Sequence, residues 1–150
     1  MQQIIEVESS YKKLDDYLKK TNEKKLFLVC GESINKLAIN KYFNTLEKRL
    51  GIQVVRFNEF QPNPKYESVV EGVQRFNQEG CRLIIAVGGG SAMDVAKCIK
   101  LYSNMNPDQN YLDQPIIPNN ITLVAMPTTA GAGSEATRFA VIYYNGEKQS

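Results

Sequence analysis

The sequence contains no histidine, which removes the commonest general acid or base near neutral pH and the commonest protein ligand for transition metals. The usual catalytic triads and the usual zinc or iron sites are therefore not expected, and any chemistry needs a cofactor or another polypeptide. Cysteine is scarce. Cys30, Cys81 and Cys98 are odd in number and lie inside expected strands or a helix, which fits reduced core thiols better than a disulfide framework. No apolar stretch approaches the roughly 20 residues that a membrane-spanning helix needs, and the start, MQQIIEVESS, lacks a basic region followed by a long apolar one. An excess of charge of one sign is missing too. Eighteen basic and 16 acidic residues leave a net +2, with the lysines scattered along several segments. The expectation is a cytoplasmic protein with neither a nucleic-acid nor a membrane partner.

What is present is enough for one domain: 150 residues, 43% of them hydrophobic. Residues 9–20 place Tyr11, Leu14 and Leu18 on one helical face. KLFLVC (25–30) is a compact apolar run, the mark of a buried strand. Ser33 is placed to cap a helix carrying Leu37, Tyr42, Phe43, Leu46 and Leu50, with Gly51 just after its end. IQVVRF (52–57) is a second strand. Asn63 and Pro64 then read as the cap and first residue of a helix with the apolar stripe Tyr66, Val69, Val70, Val73 and Phe76, closed by Gly80. RLIIAV (82–87) is a third strand, and a helix spans 92–103. The proline-punctuated stretch 103–120 reads as irregular. ITLVAM (121–126) is a fourth strand, and TRFAVIYYNGEKQS a strand entering an Asn-Gly turn. Because that turn calls for a returning strand and only four residues follow it, a fragment boundary at Ser150 is expected.

Alternating strands and helices imply parallel crossovers. The fold class is therefore α/β: a Rossmann-like layered parallel sheet with helices on both faces, plus a C-terminal β-hairpin element. Ligands of such sheets sit beyond the carboxyl ends of the strands, where both small-residue loops fall.

In LIIAVGGGSAMDVAK (83–97), Gly88, Gly89 and Gly90 lie between a strand end and a helix start. There unpaired amides and the helix dipole present partial positive charge. Without β-carbons the backbone can approach a phosphate, and a diphosphate is the natural guest; one glycine would have served for a tight turn alone. Ser91 and Asp94 have the spacing of a capping box, and an anionic Asp94 would meet a hydroxyl or an amide of a nucleotide rather than its phosphates. The dinucleotide pattern G-x-G-x-x-G fails at Met93, and no G-x-x-x-x-G-K-[ST] occurs. Thr128 and Thr129, followed by Ala130 to Ser134, suit the ribose or ring portions of the same ligand, or equally a small-residue loop packed on a neighbouring domain.

Together PNP, IIAVGGGSAMDVAK and AMPTTAGAGSEAT, in this order and at these separations, resemble the amino-terminal domain of the iron-containing (group III) alcohol dehydrogenases, and within them the phosphonoacetaldehyde reductase branch. The resemblance covers essentially the whole chain. It implies a domain, here 1–150, that binds NAD or NADP. It also implies a helical metal-binding domain, missing from these residues, that carries Fe(II) or Zn in the parent enzyme. The parent would be a homo-oligomer moving hydride between nicotinamide and a small alcohol or aldehyde, and the 150 residues alone would not turn over. By the same resemblance Gly89, Gly90 and Ser91 hold the diphosphate, Asp94 and Asn63 line the nicotinamide side, Thr128 and Thr129 meet the adenosine half, and Lys148 reaches a ribose. Gly31 stands where NAD-preferring members carry an aspartate, which makes a 2'-phosphate more tolerable, while Glu32 beside it leaves the preference open. Ala132 replaces the threonine usual in the second loop. Two rivals remain: a glycerol-dehydrogenase-like or dehydroquinate-synthase-like enzyme half, and a non-catalytic nucleotide-binding or interaction module.

Overall fold

The computed structural model describes residues 2–6, 11–128 and 138–142. Its elements in chain order are β1 (Gln2–Glu6), α1 (Lys12–Thr21), β2 (Lys25–Cys30), a 3-10 segment (Glu32–Lys36), α2 (Ala38–Asn44) and α3 (Leu46–Leu50). There follow β3 (Gln53–Phe57), α4 (Tyr66–Glu79), β4 (Leu83–Gly88), α5 (Gly90–Tyr102), a 3-10 turn (Tyr111–Asp113), β5 (Thr122–Pro127) and β6 (Arg138–Ile142).

The strands form one sheet in the order β1-β6-β5-β4-β2-β3. β5, β4, β2 and the edge strand β3 are parallel. β6 runs antiparallel to β5 and to β1. Apolar runs alternate between the two faces, as strands buried on both sides must. Leu26, Leu28, Leu83, Ile85 and Val87 pack with Leu14 and Leu18 of α1 and with Ile39, Phe43 and Leu46 of α2 and α3. Phe27, Val29, Ile84 and Ala86 face the other way, against Val69, Val73 and Phe76 of α4 and Val95, Ala96 and Ile99 of α5. Fully burying one such side chain contributes about 1.5–3 kcal/mol, so the layers hold each other.

The first crossover leaves β2 over the α2/α3 face to reach β3, and the crossover from β4 leaves over the α5 face to reach β5 on the other side. Opposite directions on opposite faces keep one handedness. They also make the gap between β2 and β4 the point where strand order reverses.

Several details depart from the sequence reading. The helix expected from Ser33 to Leu50 is three pieces: Leu37 is extended (φ −107, ψ 149), and Thr45, at φ −104, ψ −1, separates α2 from α3. The Thr45 hydroxyl donates back to the Lys41 and Tyr42 carbonyls, a habit that bends helices. Ser33 sits inside the 3-10 segment, so it caps nothing. Asn63 is not the cap of α4: it is left-handed at φ 57, and the helix starts at Tyr66 after Lys65. The helix expected from residue 92 begins two residues earlier. β1 is a strand that the sequence analysis does not predict, and β6 lies between β5 and β1. The Asn-Gly turn lies outside the described residues. The connection 103–120 is irregular as expected yet well held: the Gln114 amide spans to the backbone of Asn106 and Gln109, and Tyr111 stacks on Tyr102 with ring centroids 4.8 Å apart.

Candidate functional site: a cleft at the strand-order reversal

The carboxyl ends of β2 and β4 bring Gly31 and the glycine turn together. Between them opens a cleft of about 420 Å³, lined on one side by Gly31, Glu32 and Ser33, on another by Gly88 to Ala92, and closed by Asn58, Phe60 and Pro62 from the loop after β3. A second pocket of about 330 Å³ lies farther along α5, between Asn63, Pro64 and Val69 on one wall and Ser91, Asp94, Val95 and Cys98 on the other. Ser91 lines both pockets.

The three glycines differ in what demands them. Gly88 closes β4 at φ +141, a conformation that L side chains rarely adopt, and its carbonyl accepts from the Thr128 amide at 3.0 Å. Gly89 is extended (φ −91, ψ −159) and caps α5. Gly90 is the first helical residue. Among the described residues a β-carbon at either would meet nothing within 4 Å. Neither backbone strain nor packing against the described residues accounts for these two, and both line the cleft. No side chain caps the helix, so the capping box expected from Ser91 and Asp94 does not form. The first-turn residues Gly90, Ser91 and Ala92 line the cleft, and first-turn amides have no partner within their own helix.

The remaining expected site residues divide by position. Gly31 lines the first cleft in an extended conformation (φ −87, ψ 178). Asn63 and Asp94 meet across the second pocket; the left-handed turn at Asn63 occurs where the chain reaches that pocket. Thr128 follows β5 and touches the glycine turn through its amide. Thr129, Ala132 and Lys148 lie outside the described residues. Cys30 and Cys81 are buried as expected, whereas Cys98 is only partly so and lines the second pocket. Burial raises the Cys98 thiol above its usual range, which keeps it protonated and unreactive at neutral pH.

The sequence reading does not place Asn58 or Phe60 at the site, and it gives Pro62 only as part of the PNP motif. A signal existed: they follow a strand adjacent to β2 and so had to emerge on the same carboxyl edge. Among the described residues no group of three or more Cys, Asp or Glu could hold a metal ion.

An open sheet with helices on both faces and its cleft at the strand-order reversal defines a doubly wound, Rossmann-like α/β domain. A family model described as iron-containing alcohol dehydrogenase matches residues 2–150. The NAD-dependent methanol dehydrogenase of Bacillus methanolicus is 34% identical over 143 residues, 91% of this chain and 36% of that protein. The choline dehydrogenase of Bacillus subtilis (strain 168) is 38% identical over 123 residues, 79% of this chain and 31% of that protein. The crystal structure of a 1,3-propanediol oxidoreductase superposes with a TM-score of 0.60 at 28% identity, over 83% of this chain and 36% of that one. The chain belongs to the iron-containing alcohol dehydrogenase family, and it spans about a third of the length of these relatives.

Proposed function

We propose that this chain is the cofactor-binding part of a metal-dependent, NAD-linked alcohol dehydrogenase or aldehyde reductase. One observation carries the reading: Gly89 and Gly90 lack side chains that the fold has room for, at the amino end of a 13-residue helix. A diphosphate resting on those amides explains the vacancy. The two pockets joined at Ser91 then suit the two nucleoside halves, with Gly31 and Glu32 on the adenosine side and Asn63 and Asp94 beside the nicotinamide. That ring supplies or takes the hydride when bound; the chain's own residues grip, orient and shield it. The similarity to a methanol dehydrogenase named as NAD-dependent supports the cofactor class.

Within that class the reading favours NAD over NADP. Glu32 lines the adenosine side, and no lysine or arginine is among the described residues that line the cleft. An iron or zinc ion finds no ligand set among the described residues, so the proposal assigns this chain the cofactor alone. The substrate would be a small alcohol or aldehyde. The site of action assigned by this reading is the cytoplasm; no helix among the described residues is long and apolar enough to cross a membrane.

The test is titration of NADH with the 150-residue protein and with its Gly89→Val and Gly90→Ala variants. Weak binding by the parent chain is expected, weakened further by both substitutions while the thermal midpoint stays in place. Variants that bind as the parent does would remove the diphosphate assignment.

A further inference from the structure

Phe60 is not explained by the grip on phosphate. It follows β3 through a tight turn in which its own amide donates to the Asn58 carbonyl at 2.9 Å. One side of its ring leans on Phe57, with centroids 6.1 Å apart. The residue is only partly buried, and it lines the same cleft as the glycine turn and the end of β2. Phe57 itself is fully buried and stacks on Phe27 at 5.8 Å, so Phe60 is backed by a fixed aromatic column. Gln61, Pro62 and the left-handed Asn63 follow it.

We propose that Phe60 is the aromatic wall of the cofactor cleft, against which the adenosine half of the dinucleotide packs. This rests on the dinucleotide reading above. The chemistry around it argues for that half. Glu32 and Ser33 line the same cleft: a carboxylate and a hydroxyl suit the vicinal diol of a ribose, while an aromatic face suits a base, since every base offers a π-face of its own. The wall would set the width of the cleft opposite the bare backbone of Gly89 and Gly90.

The chain has no tryptophan, so a Phe60→Trp variant carries a single indole reporter at this position. Its fluorescence is expected to be quenched by ADP and by NAD and left unchanged by nicotinamide mononucleotide. Phe60→Leu, which keeps apolar bulk without the ring, is expected to weaken ADP and NADH binding about tenfold, the scale of one aromatic–base contact; Phe60→Tyr is expected to restore it. Quenching by the mononucleotide in place of ADP, or undiminished binding by the leucine variant, would overturn the assignment of Phe60 while leaving the dinucleotide reading intact. Should the leucine variant prove unstable, the indole signal decides alone. If the parent chain binds neither ADP nor NADH, both readings fall together.

Discussion

Gly72 sits in the middle of α4, where the general rule predicts that alanine should be an improvement. An exposed helix interior gains about 1 kcal/mol from replacing glycine by alanine. Here the added β-carbon would lie 2.7 Å from Ile99 Cδ1, 2.9 Å from Phe57 Cε2 and 3.2 Å from Phe57 Cζ. The Ile99 methyl can rotate away. The Phe57 ring cannot, because it is fully buried and stacked against Phe27. Overpacking of a rigid core typically costs about 1–3 kcal/mol, and with a contact this short against a fixed ring the upper half of that range applies. The helix gain offsets only part of it. Gly72→Ala should therefore lose about 1–2 kcal/mol, a fall in thermal midpoint of about 3–6 °C for a chain of this size, followed by circular dichroism. Since Phe57 also backs Phe60, the same substitution should weaken adenine-nucleotide binding. A midpoint equal to or above that of the parent would refute the reasoning, showing that α4 and α5 separate freely.

Burial pushes the Cys81 thiol up to about 11 from an ordinary 9.0, so between those values the folded state keeps a proton that the unfolded state has released. Stability must fall as pH rises through that window, and Cys81→Ala should flatten the fall in urea titrations. Lys100 has the opposite sign: it is 2% exposed, its ammonium donates to Asn119 and to the Ile121 carbonyl, and burial lowers its pKa from 10.5. The folded state binds fewer protons there, so the parent should gain stability relative to Lys100→Met as pH rises toward about 10.5, and parallel curves would contradict this. For cofactor choice, two like charges about 5 Å apart in a watery cleft cost about 0.8 kcal/mol. Glu32→Gln should accordingly improve NADPH binding relative to NADH by about fourfold or more in paired titrations.

The sheet was legible because its strands are buried on both faces. After Lys25 and Arg82 the runs LFLVC and LIIAV leave no polar positions to confuse the period, and the glycines at 51 and 80 end their helices in the left-handed conformation expected of them. Local capping was legible only in part. Ser33, Asn63 and the Ser91–Asp94 pair have the right side chains at plausible spacings, but tertiary demands prevailed. Asn63 is spent on a left-handed turn beside the second pocket, and the helix after the glycines starts at Gly90 with no side-chain cap at all. Sequence shows which residues are able to cap; it does not show which helix ends are reserved for another purpose. Phe60 was missed for a related reason: a lone aromatic after a strand has no period, and only its placement across from the glycine turn gives it meaning.

That placement follows from connectivity. A glycine turn after an edge strand would face solvent on one side, whereas β4 stands beside β2 where the chain stops building in one direction and starts in the other. The connections leaving β2 and β4 diverge to opposite faces, so the loops after β2, β3 and β4 surround an opening between them. Gly88 answers to the backbone geometry of leaving the strand; Gly89 and Gly90 answer to the opening. Substitutions at Gly88 should therefore register in stability, and those at the next two positions in binding. A Gly88→Ala variant as stable as the parent, or a Gly89→Val variant that unfolds early, would mean that the division between fold and site has been drawn in the wrong place.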